Sequence, residues 1–491
     1  MHASGKHLKP ANPEGKYESL KAEYNLLISR RPKKVSRGGL RAYIGTLEYV
    51  TEMENSGTTH GKNSIHTEAF AEAIEDARRI STPEELFSRT RAALAGFYRI
   101  HSRENLYQDS KPDGVQAQLG ELYDCYGSIQ QGRMKAVSLY SGAMGLDLGI
   151  MQSGFQILLA NDIDRRSMET VVANLPGMKF INSDIEVVTS ERILEESGMD
   201  AGNLDLLVGG PPCQPFSPAG KRAALNDPRA SPLRHFIRAV KDLRPRAFVM
   251  EEVPGILSSR LKHFPYYDKY ERKPSGEEVR GSAFAVIMEM MRDTGYNIEY
   301  RVLNSADYGT PQVRKRVIFI GMRDGIPTFP QATHSGNGEE DAPQWKTFWE
   351  SSQNLHGCSF RPLSVQDQEF MSYVPPGGSW LQMPEEVARR AMGGAFESEG
   401  GRMGFYRRIA WDEPTPTVVT SPLQKGTYFV HPFADRPLSL EEYKRAQGFP
   451  DSWKITGKLD DMYRLIGNAV PVQLSSAVGR HVAGLLEGAW D

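Results

Sequence analysis

Hydrophobic and polar positions change texture twice along the chain. Up to about Arg41 polar residues dominate without any apolar period, which predicts an arm with no core of its own. Between about Ile65 and Tyr107 the spacing turns helical: Leu86, Ala93, Phe97 and Ile100 fall on one face. Ahead of them, Thr82-Pro83-Glu84-Glu85 supplies the N-cap, N1 proline and N3 glutamate of a capping box. After about Met134 short apolar runs (KAVSLY, FQILLAN, LDLLVGG, RAFVME, then NIEYRVL and RKRVIFIG) alternate with helix-like stretches. That alternation predicts an α/β fold, a doubly wound and mostly parallel sheet with helices on both faces. Between about Gly321 and Asp435 the rhythm fails in sequence rich in Gly, Pro, Ser and Trp, such as PPGGSW, which predicts a second, smaller and irregular domain.

Composition bounds the picture. At 491 residues the chain exceeds what one compact core usually serves, and 39% hydrophobic residues exclude wholesale disorder. Cys125, Cys213 and Cys358 are an odd number without zinc-like spacing, so neither a disulfide framework nor a metal site is expected. No run of 18 apolar residues and no signal-like segment occurs, and a soluble, cytoplasmic protein without membrane contact is the expectation. The formal charge of −2 offers a polyanion no global field. Its distribution does: ten Lys/Arg against three Glu give +7 up to Arg41, and eight Lys/Arg against two Asp give +6 from Cys213 to Arg246. The irregular stretch carries nine Lys/Arg against fourteen Asp/Glu, or −5.

Candidate chemistry gathers at the ends of the predicted strands. KAVSLYSGAMGLDLGI reads as a strand, a turn at Gly142 and Gly145, and a helix from near Leu146 closed by Gly149, a shape that lets backbone approach a ligand. Asp162 ends the next strand, where a doubly wound fold places a ribose-binding carboxylate, and Asp184 ends a third. LDLLVGGPPCQPFS stops a strand at Gly209-Gly210-Pro211-Pro212 and leaves Cys213 at the head of a loop, in a positive segment that favours its thiolate. Glu251 and Glu252 end the strand after that and are candidates for general acid work. Gln312, Arg314 and Arg316 alternate along a further strand, a period that puts them on one face to converge with Glu251. From these residues alone, a thiol hydrolase pairing Cys213 with a histidine such as His235 also stands, although it leaves Gly142 and Asp162 without a role.

In order and spacing these motifs resemble the DNA (cytosine-5) methyltransferases, over about Lys135 to Gly321 and again from about Arg436. Pro212-Cys213-Gln214 matches the family's nucleophile motif, and Gln312-x-Arg314-x-Arg316 its Gln-x-Arg-x-Arg motif. RPLSLEEYKRAQGFPDSW matches the segment that packs the recognition domain, and Gly467 to Pro471 the Gly-Asn-x-Val-Pro element. Two residues depart from the pattern: Glu252 replaces the usual asparagine after the catalytic glutamate, and Met144 a common glycine in the cofactor loop. tRNA cytosine methyltransferases share the catalytic motifs, and a regulator that kept the fold without activity is the other alternative.

The resemblance implies a Rossmann-like, S-adenosyl-L-methionine-dependent enzyme that methylates C5 of a flipped-out cytosine in duplex DNA, releases S-adenosyl-L-homocysteine and needs no metal. Cys213, Glu251, Arg314 and Arg316 would be catalytic, with Cys213 attacking C6, Arg316 on O2 and Arg314 bracing Glu251. Tyr140, Gly142, Gly145, Asp162, Ile163, Asp184, Ile185, Pro212, Leu233, Asn468 and Ala469 would hold the cofactor. Gln214, Ser217, Lys221, Arg222, Arg407, Arg408 and Thr420 would meet DNA. The implied organisation is an N-terminal extension (1–134, basic arm plus helices), a catalytic domain (135–321), a target-recognition domain (322–435) and a C-terminal segment returning to the catalytic domain (436–491). A monomer acting on DNA within a bacterial or phage-type restriction-modification system follows, with a cognate endonuclease as a partner.

Overall fold

A computed structural model describes residues 134–488 except 213–230, 263, 265–271, 337–341, 353–354, 356–357, 398–403, 425 and 427. The basic arm, the helical 65–107 segment, Cys125, Cys213, Gln214, Ser217, Lys221 and Arg222 lie outside the described residues.

The alternating pattern folds as β1 (Met134–Leu139), α1 (Gly145–Met151), β2 (Phe155–Asn161), α2 (Arg165–Asn174), β3 (Lys179–Ile181), α3 (Ser190–Ser197), β4 (Leu206–Gly209), α4 (Ser231–Leu243) and β5 (Ala247–Glu252). After α5 (Ser282–Arg292) come β6 (Asn297–Asn304), β7 (Gln312–Val313) and β8 (Lys315–Met322). Seven strands make one sheet in the order β3-β2-β1-β4-β5-β8-β6. The first five run parallel, and β8 lies antiparallel to both β5 and β6. The chain therefore reverses direction across the sheet between β1 and β4, the switch point at which doubly wound folds open a crevice. Turn chemistry fixes the starts of the helices: Asp164 and Thr189 accept from Arg166 N and Arg192 N, satisfying donors that helices leave free. Apolar faces of the strands and helices meet in a core that includes Val137, Leu139, Leu207, Phe236, Phe248 and Phe319.

Beyond β8 the chain forms α6 (Phe348–Ser352), α7 (Val365–Met371), α8 (Glu385–Met392), β9 (Thr415–Pro416), α9 (Leu440–Ala446), α10 (Leu459–Asn468) and α11 (Val472–Glu487). The described residues divide between two units. Residues 322–360, Glu413–Ser421 and those from Ser439 onward group with the sheet, while Arg361–Asp412 and Pro422–Leu438 form the smaller unit. Within the smaller unit Phe370, Met371, Val374, Tyr406, Tyr428 and Val430 share a core. Tyr406 and Tyr428 stack there at 5.4 Å, with both hydroxyls donating to the Asp367 carboxylate. Among the described residues no helix is long and apolar enough to cross a membrane.

One local expectation is corrected. Gly149 does not close α1, which continues to Met151; its glycine is required instead by packing, since a side chain there would stand 2.4 Å from the Ser475 Cβ of α11. The glycine allows two helices to meet rather than ending one. Gly145 serves a similar contact, since a Cβ there would reach Val470 O at 2.2 Å. The Gly-Asn-x-Val-Pro segment and α11 thus press directly on the glycine turn after β1.

Candidate active site

The loops after β1, β2 and β3 lie side by side, as their strands do. Gly142 takes a left-handed φ of +54°, where an added Cβ would meet nothing within 4 Å, so its backbone is open to a close neighbour. Met144 is also left-handed, at φ 66°, a conformation that suits glycine and that a methionine adopts at some strain. Its fully buried side chain packs into the core. Asp162 accepts from Gly142 N (2.9 Å) and Asp164 N (2.8 Å), and desolvation, the largest influence, moves its carboxyl upward. Beside it Ile163 is 65% exposed, an apolar side chain presented to solvent at a strand end. Asp184 is exposed and accepts from Glu186 N, while Ile185 and Leu233 are buried in the core that flanks Tyr140. The Tyr140 hydroxyl donates to Pro232 O at 2.7 Å, and burial pushes its pKa up. Asn468 is exposed at the end of α10 and Ala469 is buried beside Gly145.

Two charged residues at this end escaped the sequence reading. Asp147 lies on α1, fully buried, and burial pushes its carboxyl up to about 6 against the pull of the Ser138 and Ser141 hydroxyls. Those hydroxyls bond each other at 2.9 Å, and neither carboxylate oxygen of Asp147 has a hydrogen-bond partner of good geometry. A lone acid in the otherwise apolar GLDLGIM was the available signal. Arg238, on the polar side of α4, donates to Ile185 O and Val188 O. Asp162 and Asp184 place carboxylates at adjacent strand ends, beside Tyr140 and the exposed Ile163, while Asp147 is enclosed in the core. A ligand that joins an aromatic base to cationic groups fits this set, and S-adenosyl-L-methionine, with its adenine, sulfonium and ammonium, is such a ligand.

The other end of the crevice is built on β4, β5 and β8. Glu251 is the penultimate residue of β5, and its Oε2 stands 3.0 Å from the position of a Cβ on Gly210, so the residue after β4 abuts this carboxylate three positions before Cys213. Antiparallel pairing of Glu252 with Val317 brings in the neighbouring Arg316, whose Nε contacts Glu251 Oε1 at 2.5 Å. Both side chains are mostly buried, which strengthens the pair over one in open water. Glu252 is buried and accepts from Val253 N at 3.2 Å. Pro211 is buried and Pro212 exposed.

The expected common face of Gln312, Arg314 and Arg316 is only partly realised. All three turn inward and Lys315 is exposed, as period two predicts. They do not share a target, because β7 pairs with β9 while β8 joins the main sheet. Gln312 donates to Ala446 O and Gln447 Oε1 and accepts from Val418 N. Arg314 donates to Val418 O (2.9 Å) and Gly467 O (2.7 Å). The bracing of Glu251 expected of Arg314 is supplied by Arg316, while Gln312 and Arg314 fasten distant segments behind it.

Among the residues expected to meet DNA, Arg408 is corrected. It is 1% exposed, and its guanidinium donates to Val374 O, His431 O, Ala434 O, Met371 O and Asp435 Oδ1, which uses all five N–H groups inside the smaller unit. Its neighbour Arg407 is half-buried, and Thr420 is exposed in the segment grouped with the sheet.

Comparison with known proteins agrees with this arrangement. The family model for C-5 cytosine-specific DNA methylase matches residues 134–483. The chain is 35% identical over 364 residues to the type II methyltransferase M.PspPI of a Psychrobacter species, which covers 72% of this chain and 80% of that protein. It is 34% identical to M.Sau96I of Staphylococcus aureus (71% and 75% covered) and 34% identical to M.Eco47II of Escherichia coli (72% and 79%). A thiol hydrolase built on Cys213 and His235 would not produce a family match over residues 134–483, a span that includes the glycine turn and the Glu251–Arg316 pair. The chain belongs to the C-5 cytosine-specific DNA methylase family and is a DNA (cytosine-5) methyltransferase.

Proposed function

We propose that the chain transfers a methyl group from S-adenosyl-L-methionine to C5 of a cytosine flipped out of duplex DNA, as the modification enzyme of a bacterial type II restriction-modification system. The observation that carries this reading is the Glu251–Arg316 ion pair, set against the end of β4 from which Cys213 follows. Bound beside Tyr140, Asp162, Ile163 and Asp184, S-adenosyl-L-methionine supplies an electrophilic methyl group and leaves as S-adenosyl-L-homocysteine.

Cytosine C5 is a weak nucleophile until the ring is activated. The Cys213 thiolate, favoured by the +6 segment that begins with it, adds to C6. Glu251 holds N3 and the exocyclic amine, and Arg316 is placed to take O2, so the charge driven into the ring meets fixed partners. C5 of the adduct then takes the methyl group, and as solvent water removes the C5 proton the C6–S bond breaks and Cys213 leaves as its thiolate. None of these groups reaches a base inside a duplex, so the cytosine must leave the stack at a cost of a few kcal/mol. Phosphate contacts from the basic residues soon after Cys213, Lys221 and Arg222, and target contacts from the smaller unit, with Arg407 as a contributor, offset that cost.

Incubation with labelled S-adenosyl-L-methionine and either duplex DNA or tRNA tests the proposal. Label is expected in DNA, blocked by Cys213→Ser with cofactor binding kept. Transfer to tRNA alone, or full turnover by Cys213→Ser, would overturn it. Mapping methylated cytosines in DNA from cells expressing the chain then gives the target sequence.

A further inference from the structure

The turn that carries Asp184 and Ile185 is poorly anchored by its own strand. It follows β3, which has three residues and lies at the edge of the sheet. Asp184, Glu186 and Val187 are exposed, and within the turn Val187 N donates to Asp184 O and Glu186 N to Asp184 Oδ1. Two side chains from elsewhere hold it. Asn161 of β2 donates to Ile181 O and Ser183 O, fixing the entry. Arg238 of α4 fixes the remainder, with a single nitrogen, Nη2, donating to both Ile185 O (3.0 Å) and Val188 O (2.7 Å). Ile185 and Val188 bury their side chains in the core, and their carbonyls, partly withdrawn from water, both take the same Arg238 nitrogen as partner. The first turn of α4 also receives the Tyr140 hydroxyl at Pro232 O. One helix thus reaches both walls of the proposed adenine site.

We propose that Arg238 is a positioning residue for cofactor binding, holding the Asp184–Val188 turn against α4 so that the adenosine half of the pocket is formed before the ligand arrives. The inference rests on the cofactor reading given above. Arg238 touches no reacting atom in this scheme. It acts on the adenosine portion that S-adenosyl-L-methionine and S-adenosyl-L-homocysteine share, so its loss weakens both ligands by the same factor and leaves the chemical step alone. A charge contact to the sulfonium would instead change their ratio.

The test measures the affinity of the full-length protein for S-adenosyl-L-methionine and S-adenosyl-L-homocysteine by calorimetry, with turnover on duplex DNA at saturating cofactor. Arg238→Ala is expected to raise both dissociation constants about ten-fold, with kcat within about two-fold of the parent. Arg238→Lys is expected to recover most of the affinity, since one ammonium offers enough N–H groups for the two carbonyls. Lys241→Ala, exposed on the same helix, should change neither constant. Unchanged constants in Arg238→Ala would overturn the proposal, as would weakening of one ligand only. A fall in kcat and melting temperature without rescue by lysine would also overturn it, by showing a residue that serves the fold alone. Should the unmodified protein bind neither ligand, the cofactor reading itself fails, an outcome distinct from all of these.

Discussion

Beside β1, β2 and β3 the acids that shape the crevice are held by near neighbours in sequence, whereas beside β5 and β8 the residues behind the Glu251–Arg316 pair are held by residues more than a hundred positions away. Asp162 is fixed by Gly142 N, twenty positions before it, and by Asp164 N, and Asn161 holds the β3 exit within 22 positions. Gln312 and Arg314 instead bond Val418, Ala446, Gln447 and Gly467, at separations of 104 to 153. The difference follows from the sheet. Parallel βαβ units return each strand beside the last, so their turns assemble locally. The antiparallel β8 is wedged between β5 and β6, and the chain behind it comes from the C-terminal helices and the 413–421 segment. Ligand-facing geometry on one side is thus a matter of turns, and on the other of tertiary fastening.

Substitutions on the two sides should therefore fail in different ways. The largest effect is expected from Glu251→Gln, which keeps the shape but removes the charge beside Arg316: methyl transfer to duplex DNA should fall by about 10²- to 10⁴-fold with cofactor affinity unchanged. Near-normal turnover in a labelled-methyl assay would remove Glu251 from the chemistry. Arg314→Met should act through the fold, because it leaves the buried Val418 and Gly467 carbonyls unpaired, at about 3 kcal/mol in urea unfolding. A loss of activity without loss of stability would instead give Arg314 a direct part.

On the cofactor side, Asp147→Asn should show its effect in pH dependence. Its folded carboxyl is raised from 3.8 to about 6, so its favourable contribution is complete below the unfolded value and is lost as pH rises through about 6. The variant should thus gain on the parent between pH 4 and 6, up to about 3 kcal/mol, and hold that margin above. A margin that stays flat across denaturant titrations from pH 4 to 8 would show that the carboxyl is not desolvated. The smallest effects come from the glycines. Gly145→Ala forces a Cβ toward Val470 O and should cost about 2 kcal/mol, whereas Gly142→Ala meets open space and bears only its left-handed backbone, about 1 kcal/mol. Equal melting temperatures for the two variants would contradict the packing of the C-terminal segment on the turn.

Much of the site was legible because strand-end chemistry follows local pattern. Apolar runs located β1, β2, β4, β5, β6 and β8, and Gly142, Asp162 and Glu251 stand at or just past strand ends for reasons visible in a dozen residues around each. Charge was a poor guide by comparison. Arg407 and Arg408 read alike in sequence, yet Arg408 is consumed by backbone carbonyls and one carboxylate of the smaller unit. Asp147 was lost in an apolar helix, and Gly149 passed for a helix end because a contact with α11 leaves no trace in its neighbours.

By itself, then, the order of residues determined the alternating elements, the glycine turn, the acids that close β2 and β5, and the motifs that resemble the family. These depend on periodicity and turn propensity, which act over a few residues. Only the tertiary structure decided that Arg316 meets Glu251, that Gln312 and Arg314 serve as fasteners, that Gly145 and Gly149 yield space to the C-terminal segment, and that Arg238 reaches the Asp184 turn. Each of those pairings closes a loop of tens to hundreds of residues, and which loop closes is settled by the packing of the whole core rather than by any local preference.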